Sequence, residues 1–332
     1  MAASANTPIR IGIVGYGNLG HGVELALAHN ADMRLAGIYT RRDPATVQPQ
    51  GASAAVHRVG DLPAHAGAID VLILCGGSKD DLPLQSPALA RHFNLVDSFD
   101  THPRIPEHFA AVDRAAKAGQ TSALISTGWD PGLFSIQRVM AEALLPDGDT
   151  YTFWGKGVSQ GHSDALRHVP GVAGGVQYTV PVEAAIEQVR SGTRPRLSTR
   201  QKHTRECYVV LKPGADADAV RQAIVAMPAY FAEYDTTVHF ISAEELKRDH
   251  AAMPHGGFVI RSGHSSKAAK HVMEFSLKLD SNPEFTAGIL VAYARAVWRL
   301  HQAGQFGAKT VLDVPPALLS PHDGAELRRR LL

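Results

Sequence analysis

The chain has 332 residues, 33 Lys and Arg against 32 Asp and Glu, a net charge of +1, and 45% hydrophobic with 20% charged residues. That length is about twice the ~150 residues of an ordinary domain, so two folding units or one large interleaved unit are expected. The even charge excludes a basic nucleic-acid or membrane-surface binder, and the two distant cysteines, Cys75 and Cys207, exclude a disulfide framework or a Cys-x-x-Cys metal cluster.

No stretch approaches the ~20 apolar residues that span a bilayer, and Met1 to Pro8 lacks the apolar core of a leader. A soluble, cytoplasmic chain is the expectation. The first element is a short β-branched run, Ile9 to Val14, which stops at Gly15 as a buried parallel strand does. Gly15-Tyr16-Gly17-Asn18-Leu19-Gly20 follows and leads into a segment with Leu19, Val23 and Leu27 at helical spacing. Strand, glycine turn and helix in that order suit a dinucleotide: Gly15 makes the turn, Gly17 admits the pyrophosphate, Gly20 lets helix and strand pack, and the helix start offers free N–H groups.

A second strand, Leu35 to Tyr39, ends in Thr40-Arg41-Arg42-Asp43. An NAD site usually places an acid there for the ribose hydroxyls, whereas two guanidiniums suit a 2′-phosphate and so NADP; a solvated basic turn is the other reading. Residues 43–60 have no clear period beyond a short strand near Ala55 to Arg58. Asp70 to Cys75 is a buried strand running into Gly76-Gly77-Ser78, with Cys75 as packing. Asn94 to Val96 before Asp97 and Asp100, and Ala123 to Ser126 before Asp130, repeat the pattern, separated by helices at Pro83 to Ala90 and Pro106 to Ala118. The expected fold is α/β: a Rossmann-type doubly wound parallel sheet whose ligands sit beyond the carboxyl ends of its strands, near Asp97, Asp100 and Asp130.

After about residue 132 the rhythm changes to strands rich in β-branched and aromatic residues, at Tyr151 to Gly157, Val176 to Val180, Cys207 to Leu211 and Thr237 to Ile241. They predict an inserted α+β region over 133–284. Phe285 to Gly304 reads as an amphipathic helix, and Thr310 to Val314 as a strand, so that residues 285–332 return to complete the first domain, 1–132. Polar clusters at Ser159 to Asp164, Lys202 to Arg205 and Met253 to Gly257 are candidates for chemistry. The 17 His show no metal-ligand spacing, so no metal site is expected, and no Ser sits in a nucleophile elbow. Carboxylates on the sheet edge suit a substrate ammonium; Arg205 and His255 suit carboxylates. Bland readings stand beside these: Asp97 or Asp130 as a cap, Arg205 as a surface ion pair, His255 as a satisfied loop histidine.

Together, the glycine turn, Val96-Asp97-Ser98-Phe99-Asp100, Ser126-Thr127-Gly128-Trp129-Asp130-Pro131-Gly132, Phe153-Trp154-Gly155, Ser159-Gln160-Gly161-His162-Ser163-Asp164-Ala165 and Met253-Pro254-His255-Gly256-Gly257 closely resemble the meso-diaminopimelate D-dehydrogenase family. The resemblance runs from about Ile9 to Ser320. It implies a homodimeric NADP enzyme that oxidatively deaminates the D-centre of meso-2,6-diaminopimelate to L-2-amino-6-oxopimelate and ammonia, in lysine and diaminopimelate metabolism.

Carried over residue by residue, the resemblance puts the cofactor against Gly15, Tyr16, Gly17, Asn18 and Leu19. Thr40, Arg41 and Arg42 hold its 2′-phosphate, and Cys75, Gly76, Gly77, Ser78, Ser98, Phe99, Thr127, Gly128, Trp129 and Pro131 complete the cleft. Substrate contacts fall on Trp154, Gln160, Gly161, Thr179, Arg205, His255 and Asn282, with Asp100 and Asp130 as the catalytic carboxylates that bind the amine and take its proton. Arg205, His255 and Asn282 would hold the distal L-centre. The chain departs from the family pattern at Thr40, where Ser is expected, and at Lys156, where Pro is expected. Two rivals remain: a relative acting on another D-amino acid, and a catalytically silent NADP-binding regulator, which would have lost the substrate's polar partners.

Overall fold

The computed structural model describes residues 7–51 and 54–332. The chain divides into two compact units, Met1–Ile136 with Pro283–Leu332, and Gln137–Asn282. In the first, β1 (Ile9–Val14), β2 (Met33–Thr40), β3 (Val56–Arg58), β4 (Val71–Leu74), β5 (Asn94–Asp97) and β6 (Ser122–Leu124) run parallel. Their continuous apolar runs follow from burial on both faces: every residue of β4 and β5 is buried, Asn94 and Asp97 included. Connecting helices span Asn18–Ala28, Leu82–Ala90 and Ile105–Gly119. The last starts with Pro106 in its first turn, where the missing N–H costs nothing, and stops at Gln120 in the left-handed region.

The second unit is built from two sheets. β7 (Gly148–Trp154), β12 (His255–Ser266) and β13 (Ala269–Leu279) form an antiparallel three-stranded sheet; β8 (Gly157–Val158), β9 (Val172–Pro181), β10 (His203–Leu211) and β11 (Asp235–Phe240) form a mixed one. Leu166, Val209, Ile224 and Phe231 pack one core there, and Phe153, Ile186, Val189 and Ile260 another. The hairpin of β12 and β13 is absent from the sequence-based expectations.

The helix Asn282–Gln302 follows, and β14 (Gly307–Lys309) then joins the first sheet beside β6, giving the order β14-β6-β5-β4-β1-β2-β3. The order reverses between β1 and β4, which is where a doubly wound sheet opens its crevice. The fold is thus a Rossmann-type parallel sheet with an inserted α+β unit. The expected strand at Thr310 to Val314 is corrected. The ladder uses Gly307–Lys309, and Val311–Asp313 is a single 3₁₀ turn, because Thr310 and Asp313 bond reciprocally to the turn's free N–H groups.

Candidate active site

The glycine turn sits between β1 and its helix. Gly15 has φ of +91°, and its N–H donates to the Tyr39 carbonyl at 2.8 Å. A Cβ on Gly20 would lie 2.4 Å from the Gly15 carbonyl oxygen, whereas one on Gly17 would meet nothing within 4 Å among the described residues. Gly20 is therefore required by the protein's own packing, and Gly17 leaves room for something outside it. The helix that starts at Asn18 has Gly17 at its cap position, which offers no capping side chain.

A cleft of about 270 Å³ opens here, lined by residues that include Gly15, Tyr16, Gly17, Thr40, Arg41 and Arg42 on one side and Cys75, Gly76, Gly77 and Asp81 on the other. Arg42 donates to the Tyr16 carbonyl at 2.5 Å, which ties the second strand's end to the glycine turn. Arg41 is largely exposed and pairs with Asp81 at 2.7 Å. The arginines are thus both placed at the cleft, and one is held by a carboxylate that sequence reasoning did not single out. Glu24 is a second such acid. It accepts from the Tyr16 hydroxyl and from the N–H groups of Gln50 and Gly51 at 3.0 and 2.8 Å, securing the loop after β2. Burial and this bond push the Tyr16 hydroxyl up to about 12, so it stays a neutral donor. Burial likewise raises the Cys75 thiol, which suits packing and not nucleophilic chemistry.

Asp100 and Asp130 lie beyond the carboxyl ends of the neighbouring strands β5 and β6, the first exposed and the second half-buried. Asp100 N–H donates to Ser78 Oγ at 2.8 Å, which joins its loop to the one after β4. Phe99 is spent on the core, with its ring stacked on His108 at 4.2 Å. Asp97 is fully buried beneath both loops.

In the second unit Arg205 is 5% exposed, and no acid among the described residues pairs with it. Its guanidinium lies 3.8 Å from the centre of the Tyr234 ring, donates to Thr179 Oγ1, approaches His162 Nε2 at 3.4 Å and leaves Nε without a partner. The reading of Arg205 as a surface ion pair is thereby corrected. Thr179 and Arg205 face each other in the β9–β10 register. Burial and the Arg205 charge push His162 down to about 4; burial, then Arg205 and Lys202, push His203 down to about 3. A neutral His203 fits its bonding, since Nε2 accepts the Trp154 N–H at 2.8 Å while the two rings stack.

Gln160 and Gly161 open the helix Gln160–Arg167, with Gly161 bordering open space. Gln160 reaches the Met253 sulfur at 3.8 Å, and the Met253 carbonyl accepts the Asn282 N–H at 2.9 Å, which brings Gln160, Asn282 and the segment before His255 together. His255 packs on Gly157, where a Cβ would come within 2.4 Å of its ring. His162 and Tyr234 lie against Arg205; His162 and His203 fall in the polar clusters expected from sequence, whereas Gln177 and Tyr234 had no local signal. The buried Gln177 amide has no partner on either atom among the described residues. An unpaired buried cation with neutral polar neighbours is suited to receive an anion such as a carboxylate. Among the described residues no group of His, Cys, Asp and Glu is placed to hold a metal ion, and no helix is long and apolar enough to cross a membrane.

Residues 128–281 match the family model of the diaminopimelic acid dehydrogenase C-terminal domain. The chain is 59% identical to a meso-diaminopimelate D-dehydrogenase of Ureibacillus thermosphaericus over 324 residues, 98% of this chain and 99% of the relative. A solved Clostridium tetani meso-diaminopimelate dehydrogenase bearing six substitutions, with DAP, superposes with a TM-score of 0.93 at 52% identity, covering 98% of this chain and 100% of that one. An engineered D-amino acid dehydrogenase bound to NADP+ superposes with a TM-score of 0.87 at 45% identity over the same shares.

Proposed function

Since the chain belongs to the meso-diaminopimelate D-dehydrogenase family, we propose that it oxidises the D-centre of meso-2,6-diaminopimelate with NADP, releasing ammonia and L-2-amino-6-oxopimelate, and that the reaction is reversible. The observation that carries this reading is Arg205, a buried guanidinium with no acid partner among the described residues and Thr179 against it, a site fitted to a substrate carboxylate. The six residues replaced in the C. tetani variant have the identity and chain spacing of Gln160, Thr179, Arg205, Pro254, His255 and Asn282, which supports assigning substrate contacts there; Trp154 and Gly161 are assigned on the resemblance of their motifs.

The glycine turn, the uncapped helix start and the two arginines fit a phosphorylated dinucleotide, and a relative is known bound to NADP+. When bound, the nicotinamide accepts a hydride. Around it Asp100 and Asp130 bind the D-amine, and one of them takes the proton that must leave nitrogen before the C–H bond breaks. Arg205, His255 and Asn282 hold the distal L-centre, so that an inverted isomer leaves buried groups unmatched at ~1–3 kcal/mol each. The proposed enzyme is a cytoplasmic homodimer; Val139, Met140 and Leu144, exposed apolar side chains of the second unit, support self-association.

The test is NADP reduction, followed by absorbance, with the meso, L,L and D,D isomers and with simple D-amino acids. Reaction with meso, and at most weakly with D,D, is expected. Equal rates with simple D-amino acids would favour the broader D-amino-acid enzyme. In the same assay Arg41→Ala should raise the NADP requirement without touching NAD; an unchanged NADP/NAD preference would remove Arg41 from the phosphate site.

A further inference from the structure

Asp97 ends β5 and is fully buried, which withdraws it from the sheet-edge carboxylates expected near a substrate ammonium. Its two carboxylate oxygens have different jobs. Oδ2 accepts from Ser86 Oγ at 2.6 Å and from His108 Nε2 at 2.7 Å, which anchors it to the helices Leu82–Ala90 and Ile105–Gly119. A carboxylate only accepts, so His108 carries its proton on Nε2. Oδ1 accepts the Phe99 N–H at 3.1 Å and the Ser126 N–H at 3.0 Å, one amide from each loop that runs on to Asp100 and to Asp130. The Asp97 carbonyl adds the Thr127 N–H at 2.9 Å.

The β5–β6 ladder explains why such a clasp is needed. It pairs Leu95 with Ala123 and Val96 with Leu124 and then ends. Beyond that point the Thr127 N–H to Asp97 carbonyl bond still links the two backbones, and the Asp97 carboxylate adds a side-chain cross-link beside it. Ser126 is held against its own preference: its φ is +54°, in the left-handed region, and its buried hydroxyl has no partner among the described residues. A residue stays in that conformation only where its surroundings impose it.

We propose that Asp97 is a positioning residue that locks the Asp100 and Asp130 loops to each other through its Oδ1, with Ser86 and His108 fixing the carboxylate from behind. The proposal rests on the reading of Asp100 and Asp130 as the amine-binding pair. A shift of ~1 Å in such a pair costs on the order of 100-fold in turnover.

The experiment compares Asp97→Leu, which keeps the branched shape but is larger and has no acceptor, with Asp97→Asn, whose Oδ1 still receives both amides. Turnover of meso-diaminopimelate, NADP affinity by fluorescence titration, and backbone amide exchange are measured on the full chain. Asp97→Leu should lose roughly 100-fold in kcat, more than any loss of NADP affinity, and amides of both loops should exchange at least about 10-fold faster. Asp97→Asn should recover most of the turnover. Unchanged exchange in either loop, or equal loss in both variants tracking their Tm, overturns the proposal. Should Asp97→Leu not fold, Ser86→Ala removes one anchor of Oδ2 and should lower kcat by about 5-fold, the worth of one hydrogen bond, with the same exchange pattern; no change in either overturns the clasp. Wild-type protein inactive on meso-diaminopimelate would sink the functional reading alone, because exchange in the two loops tests the clasp without turnover.

Discussion

Arg205 stands inside the second unit without an opposing charge among the described residues, and burial lowers its pKa accordingly. Such a charge costs stability in the absence of an anion and contributes binding in its presence. Arg205→Met should therefore raise the unfolding temperature of the ligand-free protein while raising KM for meso-diaminopimelate by about 10- to 100-fold, the worth of a charge-assisted bond. A fall in both temperature and affinity would mean that Arg205 holds the fold together instead. His203 carries a pH signature. Its folded pKa, about 3, lies below the unfolded value near 6.5, so between these limits the unfolded chain binds the extra proton and stability falls as the solution is acidified. His162, at about 4, adds to the same slope. Denaturant midpoints measured from pH 7 to 4 should show it, and His203→Gln, which can still accept the Trp154 N–H, should flatten it; an identical slope in the variant would assign the effect elsewhere.

At the scale of elements, the turn between β1 and its helix separates two demands that the glycine pattern alone conflates. Gly20→Ala drives a methyl into the Gly15 carbonyl, so the helix must shift, and both stability and dinucleotide affinity should fall. Gly17→Ala meets no atom within 4 Å among the described residues. Its unfolding temperature should stay within a few degrees of wild type while NADP binding weakens by about 10-fold or more, since the methyl fills the space that a phosphate needs. Calorimetry and a binding titration on the two variants separate the cases, and a Gly17→Ala protein that binds normally would exclude phosphate from that position.

At the scale of the molecule, the first unit is assembled from the two ends of the chain. Arg295, 1% exposed on the helix Asn282–Gln302, grips Asp32 through two bonds of 2.6 and 2.7 Å and also reaches Asn30 and the Leu319 carbonyl. The bond to Arg295 holds the Asp32 carboxyl below its usual range, so its contribution is present above that range and is lost as pH falls through the lowered value. Arg295→Met strands a partly buried acid and should cost about 3 kcal/mol or more in denaturant unfolding. Dinucleotide affinity should fall only as far as unfolding dictates, because the pair touches none of the cleft residues. A stable Arg295→Met protein would show that β14 alone suffices to return the C-terminus to the sheet.

How much of this was legible beforehand follows from the range of the forces involved. Parallel strands buried on both faces must be continuous apolar runs, and a phosphate turn needs glycines at fixed spacing, so β1, β4, β5 and the cleft between Gly15 and Arg42 could be read from local pattern. The resemblance of the motifs carried the family and the substrate residues further than physics alone. β12 and β13 escaped because glycines and charged residues interrupt their alternation, and β14 was misplaced because Val311, Leu312 and Val314 look more strand-like than Gly307–Lys309. Tertiary structure alone decided that Arg41 meets Asp81, that Arg205 is buried beside Thr179 and Tyr234, and that Asp97 joins two loops. Apart from the local Asp97–Phe99 bond, each is a contact between residues far apart in the chain, whose pairing is set by which strands lie side by side; sequence spacing records the reach of one element and is silent on which others it will meet.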